Sequence, residues 1–400
     1  MPQETNFQEF QAGLKNHIPA LDGLRAIAII WVMLHNGTLD KLISLQTIPE
    51  KAITLIMNTG WMGVQMFFVL SGFLITGILL DAKKNNHNNI YKQFYMRRVL
   101  RIFPIYYVFL ILAFIAAVSL QNTPSWLNLA YDHKWWYIFY TINWIQAFEK
   151  VGFSHFWSLA VEEQFYIFWP VIIISLSAFR LYATCLLLIT LSITFRLALT
   201  IYDLKFAESA AYVFTLSRLD ALAIGSLLAI TLRDESMFIK TRKSMFYIMI
   251  ISIIYILLTL ASTHSFDPVS TSWTVLNQTM AALLFVSLIY YSLDINSTLK
   301  YSRIHIRILS LNWMRSIGKY SYAMYIFHLP VAFLLHNHLS NDFLTIFSFA
   351  GDSKNIIVFT LDLLLLFILT YCLAWCSWRL IELPFLNLKR HFPMTKQPSL

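Results

Sequence analysis

Charge is what this sequence has least of. Only 13% of its 400 residues are charged, against about 25% in an ordinary soluble domain. Apolar residues make up 58% and aromatics 16%, and the mean hydropathy is +0.60. That balance excludes a soluble single domain, a fibrous protein and a disordered chain. Cysteine is nearly as scarce. Cys185, Cys372 and Cys376 each lie inside an apolar stretch, so they make neither a disulfide framework nor a Cys/His metal site, and no metal is expected. There is no Walker-type loop and no dinucleotide glycine pattern. The glycines of GWMGVQMFFVLSGF sit in an apolar run, where they permit close helix packing. The polar start, Met1 to His17, does not read as a cleavable signal peptide.

Long uncharged runs are abundant instead. Lys243 to Asp267, Asp267 to Asp294, Lys319 to Asp342 and Arg101 to Asp132 each enclose one, and about 20 apolar residues suffice to cross the hydrocarbon layer. The reading is an all-α, polytopic integral membrane protein. Ten spans are predicted, at roughly 21–40, 60–81, 102–121, 160–179, 182–202, 210–232, 245–263, 272–293, 318–337 and 356–377. With the N-terminus in the cytoplasm, 22 of the 30 basic residues fall on that side, which favours an N-in, C-in topology. The net charge of +9 thus follows from topology and does not imply nucleic acid. The longest outer connection, about 122–158, is rich in Trp, Tyr, His and Asn, as suits an interface or a polar mouth.

Ionisable groups inside a span cost several kcal/mol unless paired or facing water. This chain carries Asp22, Arg25 and His35 in the first span, and Glu162 and Glu163 at the expected outer mouth of the fourth. Arg196, Arg218, Asp220, His328 and Asp362 follow in later spans. So many imply helices around a polar cavity, with some groups, such as Arg218 and Asp220, acting as counter-ions between helices. His35 can take a proton from a hydroxyl near neutral pH, or it can be a structural buried histidine. Arg25 precedes it by ten residues, about 15 Å of helix rise. Arg97, Arg98 and Arg101 in RRVLR are either bidentate phosphate ligands or topological anchors. Ser71 and Ser158 have no readable base beside them.

Seven segments then occur in a telling order: LDGLRAIAIIWVMLH, GVQMFFVLSGFLITGILL, RRVLRIFPIYY, FWSLAVEEQFY, SRLDALAIGSLLA, SYAMYIFHLP and WRLIELPF. Together, from about Leu21 to Phe385, the chain resembles the acyltransferase 3 family of bacterial membrane acyltransferases, which includes O-antigen O-acetyltransferases. The resemblance implies a transmembrane acyltransferase domain at 21–385, flanked by cytoplasmic segments at 1–20 and 386–400. It implies transfer of an acyl group, commonly acetyl from acetyl-CoA, to a hydroxyl of a carbohydrate or glycolipid outside the cytoplasm. It assigns the family's arginine-then-histidine motif to Arg25 and His35, its RxxR motif to Arg98 and Arg101, and its late E-x-P motif to Glu382 and Pro384. Glu162 and Glu163 fall on the family's acidic positions, and His328 on its late histidine. The family commonly has ten residues between the arginine and the histidine; here there are nine, and Asn36 stands at the usual place. Either a local bulge restores the register or the facing requirement is looser.

The expected activity is therefore O-acyl transfer in the bacterial inner membrane, onto lipopolysaccharide O-antigen, exopolysaccharide or a similar glycan. His35, with Arg25, Glu162 and Glu163, carries the chemistry; Arg98, Arg101 and Arg25 hold acyl-CoA. Arg218, Asp220, His328 and Glu382 line the rest of the polar cavity. No permanently bound cofactor is expected, since acyl-CoA is a substrate. Many family members carry a C-terminal esterase-like domain that is not seen in this sequence, so a separate partner protein is one expected source of a second activity. The rival class is a transporter or flippase, which buried charges and the same topology suit equally.

Overall fold

The computed structural model describes residues 7–14, 17–37, 57–85, 88–202, 205–263, 275–293, 300–338 and 354–394. All regular structure among the described residues is helical. Among the described residues, ten long helices overlap the predicted ranges. They are α1 (Pro19–Asn36), α2 (Trp61–Lys84), α3 (Ile90–Ser119), α4 (Trp157–Ser175) and α5 (Ala178–Ile201), then α6 (Thr215–Thr231), α7 (Glu235–Thr263), α8 (Asn277–Leu293), α9 (Asn312–His338) and α10 (Lys354–Ser377). Among the described residues, seven segments are long and apolar enough to cross a membrane. They include α2, α3, α5 and Ser154–Ser175; α1, α8 and α9 are not among them. This is a membrane protein.

The largest departure from the expected boundaries is α3. Its apolar run starts near residue 102, but its helix starts at Ile90. The first turns, IYKQFYMRRVLR, are amphipathic: Phe94 and Leu100 are buried while Tyr91 and Lys92 are exposed, so hydropathy alone stops short of them. Arg98 and Arg101 consequently lie two to three turns inside the helix instead of at its mouth. That shift decides where the functional groups meet.

α2 packs most closely on α6. A Cβ at Gly72 would stand 2.0 Å from the Leu222 carbonyl oxygen, and one at Gly225 would stand 2.0 Å from that of Val69. The two backbones touch there, which only glycine allows, and the expectation for the GWMGVQMFFVLSGF glycines holds. Next to the crossing, Thr76 Oγ1 donates to Ser226 Oγ at 2.8 Å and receives the Trp169 indole N–H at 2.7 Å. A second tie is ionic. Arg196 on α5 and Asp220 on α6 pair at 2.9 Å, both with no exposure. The remaining guanidinium N–H groups reach Thr279 Oγ1 at 2.7 Å, the Val275 carbonyl at 3.1 Å, Gln278 Oε1 at 3.2 Å and the Ser217 carbonyl. Asp220 indeed has a counter-ion on a neighbouring helix.

The segment between α3 and α4 folds into short helices, Ser125–Asp132, Lys134–Ile138 and Ile142–Ile145. It is anchored by Tyr106 and Tyr107, whose hydroxyls donate to the Tyr137 and Ile138 carbonyls at 2.8 and 2.9 Å. Trp135, Trp136, Phe139, Trp144 and Phe148 are exposed on it.

Candidate active site

Three cavities follow one another from one end of the bundle toward the other. The first is a vestibule of about 1,040 Å³ with Arg25, Arg97, Arg101, Arg233, Arg315, Lys319, Lys389 and Arg390 in its wall, against Asp22 and Asp81. Asp81 is taken by Arg233 through two 2.8 Å hydrogen bonds, and Asp22 by Arg25 at 2.8 Å. Among the described residues, the other six cations have no carboxylate partner. Such a surface attracts a multiply charged anion.

Arg25 and Arg101 also line the second cavity, a middle chamber of about 230 Å³. Here Arg98 joins them, with Glu162, Glu163, Ser71, Ser158, Tyr166, Tyr322 and Tyr325. Arg98 lies against the Tyr166 and Phe94 rings at 5.4 and 5.7 Å. Glu162 accepts from Ser71 Oγ at 2.8 Å and from the Tyr166 hydroxyl at 3.1 Å. Ser158, Glu162 and Tyr166 recur every four residues, which puts them on one face of α4. The carboxylates thus share a chamber with the arginines, and the expected place at an outer mouth beside His35 is corrected. α4 begins at Trp157, so both carboxylates lie more than a turn inside it, just as α3 carries its arginines inward.

The third cavity, a far chamber of about 130 Å³, shares Val64 and Tyr325 with the middle one. His35 and Asn36 both line it, with Trp61, Gln146, His155, Trp157 and Tyr212. α1 is regular to Asn36, so no bulge shifts the register; the two neighbours share the chamber. His35 Nδ1 is 3.0 Å from the Met57 carbonyl and donates to it, which leaves the lone pair on Nε2. Asn36 Nδ2 donates to His328 Nε2 at 2.9 Å, and His328 Nδ1 donates to the Tyr325 carbonyl at 2.7 Å.

The four residues expected around the rest of the cavity are also corrected, because none of them lines the vestibule or either chamber. Asp220 is spent on Arg196, and His328 on Asn36 and Tyr325. Glu382 is buried with a 3.3 Å hydrogen bond from Ser377. Arg218 is fully buried behind the wall, 4.8 Å from the Tyr212 ring, 4.9 Å from Trp157 and 5.7 Å from Phe68. Among the described residues its three nitrogens have no hydrogen-bond partner, and its closest contacts are the faces of these three rings. Sequence reasoning passed over Tyr166, Tyr325 and His155. The four-residue spacing of Ser158, Glu162 and Tyr166 was the available signal for the first; nothing local marked the others.

Apolar helices enclosing arginines, carboxylates and histidines behind a basic vestibule define a class: a membrane protein with a polar reaction or binding chamber inside the bundle. Comparison with known proteins makes the class specific. Residues 18–379 match the family model described as "Acyltransferase domain", and the chain belongs to that family. A Staphylococcus aureus (strain COL) protein, provisionally named an O-acetyltransferase, is 28% identical over 387 residues, covering 92% of this chain and 57% of that protein. A Bacillus subtilis (strain 168) protein, provisionally named a peptidoglycan O-acetyltransferase, is 28% identical over 338 residues, 80% of this chain and 49% of its own. The peptidoglycan O-acetyltransferase of Listeria monocytogenes is 34% identical over 164 residues, 39% of this chain and 24% of its own. The match therefore spans at most 57% of the length of these curated relatives. No solved structure matches it.

Proposed function

We propose that this chain is a membrane-embedded O-acyltransferase that moves an acetyl group from acetyl-CoA to a hydroxyl of a cell-surface glycan. The observation that carries the proposal is the basic vestibule, whose cations, six of them without a carboxylate partner among the described residues, lead to a chamber that Arg98 and Arg101 line with Glu162 and Glu163. Coenzyme A carries several phosphate charges that cannot enter hydrocarbon, so its headgroup stays in the vestibule. Its acyl end alone passes inward, beyond Val64 and Tyr325, toward His35. The acceptor oxygen then attacks the thioester carbonyl as its proton passes to His35 Nε2. The carbon–sulfur bond breaks, and the departing thiolate takes that proton back. Two relatives carry peptidoglycan in their names, which favours a peptidoglycan-type acceptor over lipopolysaccharide O-antigen or exopolysaccharide. Ten spans with both termini in the cytoplasm of a bacterial inner membrane put donor and acceptor on opposite sides.

The direct test is radiolabelled acetyl-CoA supplied to proteoliposomes of the full chain, with glycan-bound acetate as the readout. Label recovered on glycan with the full chain and not with empty liposomes supports acyl transfer; glycan crossing the bilayer without acetyl-CoA supports a flippase. Arg98→Ala and Arg101→Ala should raise the KM for acetyl-CoA more than they lower kcat, with only partial rescue by Lys, which lacks the planar fork. Wild-type donor dependence in both variants would reduce the arginines to topological anchors. For the orientation, single cysteines at positions 84 and 240 of a cysteine-free chain should resist an impermeant thiol reagent on intact cells, and one at 132 should react. Outside labelling at 240 would invert the topology and the direction of transfer with it.

A further inference from the structure

Two histidines, His35 and His155, line the far chamber, a third, His328, stands behind Asn36, and their hydrogen bonds separate them. His328 has both nitrogens occupied, and His35 Nδ1 is tied to Met57. His155 differs. It is 4% exposed, and its Nε2 is 3.3 Å from the Ile326 carbonyl oxygen. Four residues after Ile326, α9 carries Pro330, which has no N–H to return to that carbonyl. The carbonyl freed by the proline can only accept, so His155 Nε2 must carry the proton and Nδ1 must present a lone pair. No donor among the described residues meets that Nδ1, although the ring lines the chamber. A buried acceptor left without a donor costs free energy, and a partner from outside the chain removes the cost.

We propose that His155 is an acceptor-binding residue, whose Nδ1 accepts a hydrogen bond from a hydroxyl of the sugar that enters the far chamber. The proposal rests on the acyltransferase reading above and adds its glycan subsite. Pro330 is part of the same device, because it creates the carbonyl that fixes the histidine tautomer. His35 remains the group that takes the proton of the attacking oxygen, and His155 holds that hydroxyl or its neighbour against it.

The test uses the full chain in proteoliposomes with acetyl-CoA and two probes, chitopentaose and a disaccharide muropeptide. His155→Gln keeps a donor for the Ile326 carbonyl but removes the Nδ1 lone pair. It should raise the KM for whichever probe the wild type acetylates by about tenfold or more, with the KM for acetyl-CoA unchanged. His155→Asn, which sets an amide oxygen near the Nδ1 position, should recover part of that loss. Pro330→Ala, which returns an amide to Ile326 and releases the tautomer, should give a smaller rise in acceptor KM. An unchanged acceptor KM in His155→Gln overturns the proposal, and a lowered melting temperature with that KM unmoved does so by making His155 a packing residue. Failure of the wild type to acetylate either probe overturns the acyltransferase reading itself, a result distinct from both.

Discussion

Replacing His35 with Ala should lower acetyl transfer by roughly 10²–10⁴-fold, the usual worth of a general base, while the protein reaches the membrane in normal amount. The Met57 carbonyl takes Nδ1–H at 3.0 Å and so holds Nε2 in the basic form. The variant loses that lone pair and the part-buried hydrogen bond to Met57, which is too little to unfold a bundle of this size. Asn36→Ala is the informative control. Asn36 stands where the family motif usually has its histidine, but an amide has no basic lone pair, and here it serves His328. Its loss should reduce transfer far less. Transfer retained in His35→Ala and abolished in Asn36→Ala would remove His35 from the reaction.

Arg196→Met should be among the most destabilising single changes available. It strands Asp220, which has no exposure, without its counter-ion, and breaking one half of a buried pair costs about 3–5 kcal/mol. Thermal unfolding in detergent should show a large drop, and the double variant Arg196→Met/Asp220→Leu should regain much of it, because neither charge then remains buried. Arg218→Met offers the contrast on the same helix as Asp220. Its guanidinium makes no hydrogen bond to the described residues and is held by three rings, so an apolar chain of similar length should fit with little change in melting temperature. Equal losses in the two single variants would contradict this division between a counter-ion and a caged cation.

Much of the fold was legible because the bilayer imposes its length on every span. Each predicted range overlaps a helix, seven described segments are long and apolar enough to span, and the glycine-rich run packs as its composition implied. Boundaries were less legible where a helix opens with an amphipathic turn, as α3 does before Arg98. That one error of twelve residues separated Arg98 and Arg101 from Glu162 and Glu163, which in fact share a chamber. Arg25 and the RxxR arginines were readable, since ionisable residues in apolar surroundings announce themselves. His155 was not, because its distinction depends on a proline 175 positions later in the chain. Arg218, Asp220, His328 and Glu382 looked like cavity residues for the same reason that Arg25 did. Composition tells that a charge is inside the bundle; only packing tells whether it faces a void or a partner.

The glycine crossing has a mechanical corollary. Side chains at an interface can change rotamer and let two helices slide, but peptide groups in direct contact have no such give. Gly72 and Gly225 therefore join α2 and α6 into one stiff post, and α2 supplies Val64, Phe67, Phe68 and Ser71 to the middle chamber. Any widening that admits a substrate falls to the opposite wall, where α3, α4 and α9 meet through long, jointed side chains such as Arg98, Tyr166 and Tyr325.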